Sequence, residues 1–221
     1  MTTKRSSPVH PAGWPFLGAA LVLAAVLWWL WWPLGLAGLV VAGYIAYFFR
    51  DPERVTPPGA GLVISPADGK VQMITRADPL PELGLPPTPH LRISVFLNIF
   101  NVHVNRIPVA GVVDEVAYRP GKFVNASFDK ASEVNERMSI RLAMPDRRQI
   151  GVVQIAGLIA RRIVCTLRPG QAVEAGERFG LIRFGSRVDV YLPEGSRARV
   201  AIGQHVVAGE TVIAELGTEG S

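Results

Sequence analysis

From Ala12 to Phe49 the chain carries no charged side chain. One helix crossing a bilayer needs about 20 apolar residues, and this stretch is nearly twice that length. Pro33 and Gly35 divide it near the middle, since proline lacks the N–H that a continuing helix would use. Two apolar helical halves are predicted, roughly 16–32 and 34–49, folded back as a hairpin and each slightly short for a perpendicular span. Lys4 and Arg5 precede the first half, and Arg50 and Arg54 follow the second. Positive charge at both ends favours a cytoplasmic location for both, with Trp28-Trp29-Leu30-Trp31-Trp32 at the opposite interface, where indole rings are favoured. A secretory signal fits less well, because the apolar run is too long and no clear small-x-small cleavage site precedes the charged boundary. Residues 1–54 are read as a membrane-associated segment, with insertion and peripheral attachment both open, and 55–221 as the functional body.

Hydrophobic residues make up 49% of the 221, an average of an apolar head and an ordinary body. The net charge of +5 draws the protein to anionic surfaces. No basic run with interleaved aromatics occurs, so nucleic acid is excluded as a partner in favour of anionic lipid head groups. The single cysteine, Cys165, has no internal disulfide partner. Its apolar context, Arg162-Ile163-Val164-Cys165-Thr166-Leu167, reads as a buried strand.

The body alternates short apolar runs with Gly and Pro, as in 61–64, 91–97, 150–156 and 188–192. Short β-branched runs between turn residues read as strands, and no window sustains a 3.6-residue period. The fold class is therefore mainly β, a sandwich or barrel-like set of hairpins with few short helices. Residues 121–137 read as a polar insertion containing one helical turn, and 78–90, with five prolines, as an irregular surface loop. Pro169-Gly-Gln-Ala-Val-Glu-Ala-Gly-Glu and Ile202-Gly-Gln-His-Val-Val-Ala-Gly-Glu repeat one turn pattern. It resembles the hairpins of biotinyl and lipoyl carriers, without the lysine that carriers modify.

Three polar clusters interrupt these strands. Ser65-Pro66-Ala67-Asp68-Gly69-Lys70 places a carboxylate in a tight turn, which alone is usually only a turn. Phe100-Asn101-Val102-His103-Val104-Asn105-Arg106 places a histidine in an apolar strand, where a core role is commoner than a catalytic one. Arg183-Phe184-Gly185-Ser186-Arg187 places a serine after glycine without the Gly-x-Ser-x-Gly elbow of a hydrolase. No metal-ligand spacing or phosphate-cradling glycine loop occurs, and His10 and His90 lie in a polar tail and a Pro-rich loop.

Together with Phe48-Phe-Arg-Asp-Pro-Glu-Arg54, Asn125-Ala-Ser-Phe-Asp-Lys-Ala-Ser132, Asn135-Glu-Arg137, Gln154-Ile-Ala-Gly157 and Ala160-Arg-Arg162, these clusters resemble the phosphatidylserine decarboxylase family, particularly its short, archaeal-type form. The resemblance covers about three quarters of the chain. It implies a proenzyme that cuts itself between Gly185 and Ser186, leaving a β chain, 1–185, and an α chain, 186–221, which stay together as a heterodimer. Ser186 becomes a pyruvoyl group, the covalent cofactor, with no metal. Its ketone forms a Schiff base with the amine of phosphatidylserine and accepts the electrons left by the departing carboxylate, giving phosphatidylethanolamine. The resemblance makes Asp68 and His103 the candidates for activating Ser186, and His103 the candidate for returning a proton to the substrate carbon. Arg106, Arg137, Arg161 and Arg162 are candidates for the lipid phosphate or carboxylate, since guanidinium suits oxyanions. Longer bacterial members resemble Tyr-His-Arg-Val-His and Leu-Gly-Ser-Thr at two of these motifs. With one histidine here, His103 serves both steps, or Asp189 or His205 takes one. The apolar head implies a location at the cell membrane with a cytoplasmic body. A serine ether lipid is the alternative substrate, and a non-enzymatic membrane-tethered β adaptor the alternative function.

Overall fold

The computed structural model describes residues 7–124, 126, 128, 131–157, 162–183 and 185–217. Lys4, Arg5, Asn125, Arg161 and Phe184, all named above, lie outside the described residues. The chain divides into two compact units, Met1–Glu53 and Arg54–Ser221.

In the first unit, α1 (Trp14–Leu30) and α2 (Trp32–Phe48) form the apolar hairpin that the sequence predicts. The break falls at Trp31, which is extended at φ −162°, and Pro33 occupies the first turn of α2. There a missing N–H costs nothing, so proline starts the second helix instead of merely ending the first. Small residues set the approach of the helices. A Cβ on Gly35 would collide with Trp28 and one on Gly38 with Ala24, so glycine lets the backbones close up. The two ends of the hairpin are tied together by His10 N donating to Phe49 O (2.8 Å) and Asp51 N to Pro8 O (3.0 Å). Outward side chains are apolar all round, with Trp29 85% exposed, as suits lipid better than water. The helix over 11–30 is long and apolar enough to cross a membrane, whereas α2 is shorter.

The second unit is built from β1 (Leu62–Ile64), β2 (Gly69–Ala77), β3 (His90–Leu97), β4 (Val104–Arg106), β5 (Gly111–Arg119), β6 (Arg137–Ala143), β7 (Gln149–Ile155), β8 (Ile163–Cys165), β9 (Ala172–Val173), β10 (Arg178–Ile182), β11 (Ser186–Leu192), β12 (Arg197–Ala198), β13 (His205–Val206) and β14 (Val212–Glu215). One turn of helix, α3 (Ala131–Val134), lies in the polar insertion. An eight-stranded antiparallel sheet has the order β13-β2-β3-β11-β7-β6-β5-β9, beside two three-stranded sheets, β1-β14-β12 and β4-β10-β8. The mainly β expectation therefore holds.

This arrangement is duplicated. β4 to β10 form one half in continuous sequence, and β1-β2-β3 followed by β11-β12-β13-β14 form the other in the same spatial order. The repeated turn pattern marks the duplication. Gly170 and Gly203 have φ of 83° and 93°, and Gly176 and Gly209 have 82° and 78°. Gln171 O accepts from Val113 N as Gln204 O accepts from Val71 N, each at 2.8 Å. Between β6 and β7 the chain turns at 144–148. The matching turn between β3 and β11 is absent, and the whole other half is inserted there. Leu97 and Ser186, paired in register, are thus the two ends of an interrupted hairpin.

Both faces of the large sheet are covered. Val188, Val190, Leu192, Ile93, Val95 and Val152 face the main core, each burial stabilising by roughly 1.5–3 kcal/mol. Tyr191, Val153 and Ile155 face a second core under Leu80, Leu83 and Leu85. The 78–90 segment is a Pro-rich connection as predicted, apart from a 3-10 turn at Pro81–Leu83 and the start of β3 at His90, yet it is more than a surface loop, because these leucines seal the back of the sheet.

Candidate active site

Strand register gathers the sequence motifs at one end of the sheet. Lys70, Phe96, Arg187, Ile155, Arg137 and Arg119 form one row across β2, β3, β11, β7, β6 and β5. The Asp68 turn, the 98–103 loop, Gly185-Ser186, Ala156-Gly157 and Asn135-Glu136 all lie at or just beyond that row. Sequence spacing does not show this convergence, since the motifs come from both halves of the duplication.

Ser186 is fully buried at the start of β11. It shares the core-facing side with Val188, and its Oγ makes no hydrogen bond among the described residues. A buried hydroxyl without a partner costs about 1–3 kcal/mol. Gly185 ahead of it has φ +62°, a left-handed conformation that a Cβ disfavours. Gly157 packs directly on the Gly185 carbonyl, where any Cβ would strike its oxygen. The carbonyl carbon next to Ser186 is thus held in a glycine cradle beside an unengaged hydroxyl.

Neighbouring polar groups brace this cradle. Asn135, fully buried, donates from Nδ2 to Ala156 O and Val124 O (both 2.7 Å), while its Oδ1 accepts from Val124 N (3.0 Å). It clips the insertion to the segment carrying Gly157. Gln154, which pairs with Val188 in register, donates from Nε2 to Asn105 Oδ1 (2.8 Å). Gln154, Asn135 and Gly157 have no task assigned by sequence reading, although all belong to recognised motifs.

His103 is 2% exposed at the end of the loop after β3. Its carbonyl accepts from Ile182 N (3.4 Å), on the strand that leads into Gly185. Asp68 directly precedes β2, two strands from β11, or about 10 Å at normal strand spacing. Its Oδ2 accepts from Arg54 Nη2 (3.0 Å) and its Oδ1 from Ala208 N (2.8 Å), so it also organises a turn. His205 is exposed on β13 opposite Lys70. Asp189 is fully buried and ion-paired with Arg187 Nε at 2.8 Å, on the opposite face of β11 from Ser186. Arg187 further donates to the carbonyls of Ala126 (3.1 Å) and Phe128 (2.8 Å) and to Ser132 Oγ.

The candidate arginines are spread apart. Arg106 is buried and donates from Nη1 to Gly176 O (2.9 Å). Arg137 donates to Glu82, also close to Ser139. Burial raises the Glu82 pKa, but the bonds from Arg137, its own backbone and Ser139 outweigh it and hold the carboxyl below its ordinary 4.5. Arg162 is exposed, and its carbonyl accepts from Arg183 N (3.4 Å). Burial, helped by the nearby Arg162 charge, lowers the Arg183 pKa. Arg183, unnamed as a binder by sequence reading, thus stands beside Arg162 and just ahead of Gly185. Cys165 is half-buried on β8, and burial pushes its thiol pKa up, away from thiolate chemistry.

A family model described as phosphatidylserine decarboxylase matches residues 41–214. The phosphatidylserine decarboxylase proenzyme of Paramagnetospirillum magneticum is 57% identical over 215 residues, covering 97% of this chain and 90% of that protein. The proenzyme of Nitrobacter winogradskyi is 54% identical over 209 residues, covering 95% and 85%. By class the chain is a decarboxylase, a carbon–carbon lyase. It belongs to the phosphatidylserine decarboxylase family.

Proposed function

We propose that this chain decarboxylates phosphatidylserine to phosphatidylethanolamine, using a pyruvoyl group that it makes from its own Ser186. The observation that carries the reading is the pairing of left-handed Gly185 with a buried Ser186 hydroxyl that has no hydrogen bond among the described residues. In self-processing, Ser186 Oγ attacks the Gly185 carbonyl and the acyl group passes from nitrogen to oxygen. Elimination of the ester then frees 1–185 as a carboxylate. The enamine left at 186 hydrolyses to a ketone with loss of ammonia. His103, with Asp68 as a longer-range partner, is proposed to take the hydroxyl proton.

The α chain would stay bound, since β11 lies between β3 and β7, and β13 and β14 pair with β2 and β1. The pyruvoyl ketone supplies an electron sink for the carboxylate's bonding pair. Around it, Gly157 and Gln154 shape the pocket, His103 holds the proton to be returned, and Arg162 with Arg183 receives the lipid phosphate or carboxylate. Arg106 and Arg137 are engaged with Gly176 and Glu82, so they shape the site more than they bind lipid. The apolar hairpin supports a membrane location and a lipid over a soluble amino acid; a serine ether lipid offers the same reacting head group.

Intact mass tests the reading. Two fragments split after Gly185, the smaller one blocked to Edman sequencing, are expected from the wild type, and one uncut, inactive chain from Ser186→Ala. An uncut wild-type chain after prolonged incubation would favour a tethered adaptor. Decarboxylation retained in Ser186→Ala would rule out the pyruvoyl route.

A further inference from the structure

Glu136 is a half-buried carboxyl to which the chemistry above gives no task. Its neighbours in sequence are engaged, Asn135 with Ala156 O and Arg137 with Glu82. Arg137 and Arg187 both pair with Ile155, so one step further Glu136 and Ser186 stand on either side of Ala156. Ala156 N donates to Glu136 O (2.9 Å), which carries the β6–β7 ladder that one step. Glu136 is therefore in the same row as Ser186 and two strands away, about 10 Å between backbones.

One hydrogen bond shows where the side chain goes. The carboxyl accepts from the backbone of Ile163, and Ile163 on β8 pairs with Ile182 on β10, the strand that leads into Gly185. Ile163 and Ile182 pack in the same core as Val188, whose face Ser186 shares. The Glu136 carboxyl and the Ser186 hydroxyl thus lie on one side of the large sheet. Burial raises the Glu136 pKa above 4.5, against the lowering by the Ile163 bond, which suits a carboxylate that takes up a proton. A serine head group carries one cation, its ammonium, beside the anionic carboxylate and phosphate. Arg162 and Arg183 suit the anions, and neither suits the ammonium. Arg162 directly precedes Ile163, and its carbonyl accepts from Arg183 N (3.4 Å), so the arginine segments and Glu136 meet at Ile163.

We infer that Glu136 receives the ammonium of the substrate's serine head group and takes one of its protons. An N–H bond breaks, an O–H bond forms on the Glu136 carboxylate, and the electron pair stays on nitrogen. Only with that pair free is the amine a nucleophile toward a ketone. The inference deepens the lipid-decarboxylase reading and rests on it for both the ketone at 186 and the head group.

The test follows the intact mass of the full chain as wild type, Glu136→Gln and Glu136→Asp. Each is incubated with glycerophosphoserine and cyanoborohydride, which fixes a captured amine by reduction. Each is separately given methoxyamine, which is already uncharged at neutral pH and adds to a ketone without needing the carboxylate. All three chains should split after Gly185 and gain methoxyamine at one rate. Glu136→Gln should capture glycerophosphoserine more slowly than wild type by about tenfold or more, the worth of a hydrogen bond to a charged group. Glu136→Asp should fall between them. Equal capture by wild type and Glu136→Gln, an equal slowing with methoxyamine, or failure of both variants to split would overturn the assignment. So would a split wild-type chain that takes methoxyamine but no glycerophosphoserine, because the head group itself would then be wrong. A wild-type chain that takes up neither reagent holds no ketone, which defeats the pyruvoyl reading and this inference with it.

Discussion

At Gly185 a Cβ would meet open space, but φ is +62°, so conformation alone demands glycine there. At Gly157 the demand is steric, because a Cβ would strike the Gly185 carbonyl oxygen. The two substitutions should therefore fail differently. Gly185→Ala adds about 1–2 kcal/mol of backbone strain, and its self-cleavage, followed by intact mass over time, should be slowed yet measurable. Gly157→Ala must displace the Gly185 carbonyl itself, and on the proposed mechanism should leave the chain almost uncut over the same period. Equal rates for the two would show that the cradle does not govern the attack. Glycine at 185 is pointed to by the family resemblance of its motif, and the structure adds the reason, its left-handed φ. The steric need for glycine at 157 is not legible in sequence, because its partner is close only in space.

On β11 the run 188–192 reads as a strand, and the strand is buried on both faces, charged Arg187 and Asp189 included. Sequence periodicity could not reveal this, because the second cover comes from Leu80, Leu83 and Leu85 and from the insertion near Ser132. The Arg187–Asp189 pair therefore sits with both side chains fully buried. Removing one member strands the other, at about 3–5 kcal/mol. In an uncleavable Ser186→Ala background, urea unfolding should show Arg187→Leu losing that much and Arg187→Leu/Asp189→Leu recovering most of it. A double variant as unstable as the single would put the loss in packing instead. The same cover depends on Glu82, whose carboxyl is held below 4.5 chiefly by Arg137 against the cost of burial. A lowered folded pKa stabilises fully above the unfolded value and is lost as pH falls through the folded one. The melting temperature should accordingly fall below pH 4.5 more steeply in wild type than in Glu82→Gln.

For the whole molecule, the hairpin's tied ends and the flanking cations give a topology that protease can read. If both ends are cytoplasmic, inverted vesicles should expose residues near both ends of the hairpin and right-side-out vesicles should protect them. One exposed end in each preparation would replace the hairpin with a single crossing. Sequence alone determined the apolar hairpin and the mainly β body, because each rests on neighbours along the chain: an uncharged run and short β-branched segments. The Gly185–Ser186 bond entered as the proposed chemical centre only through the family resemblance of several motifs. Sequence showed the duplication only as one repeated turn. The tertiary structure decided what depends on residues far apart in sequence. It inserted one half of the body into a hairpin of the other and gathered the motifs at one end of the sheet. It also set Gly157 against the Gly185 carbonyl and engaged Arg106 and Arg137 inside the body. The physical reason is that strand pairing brings remote segments within about 5 Å, and no local pattern records which segments will meet.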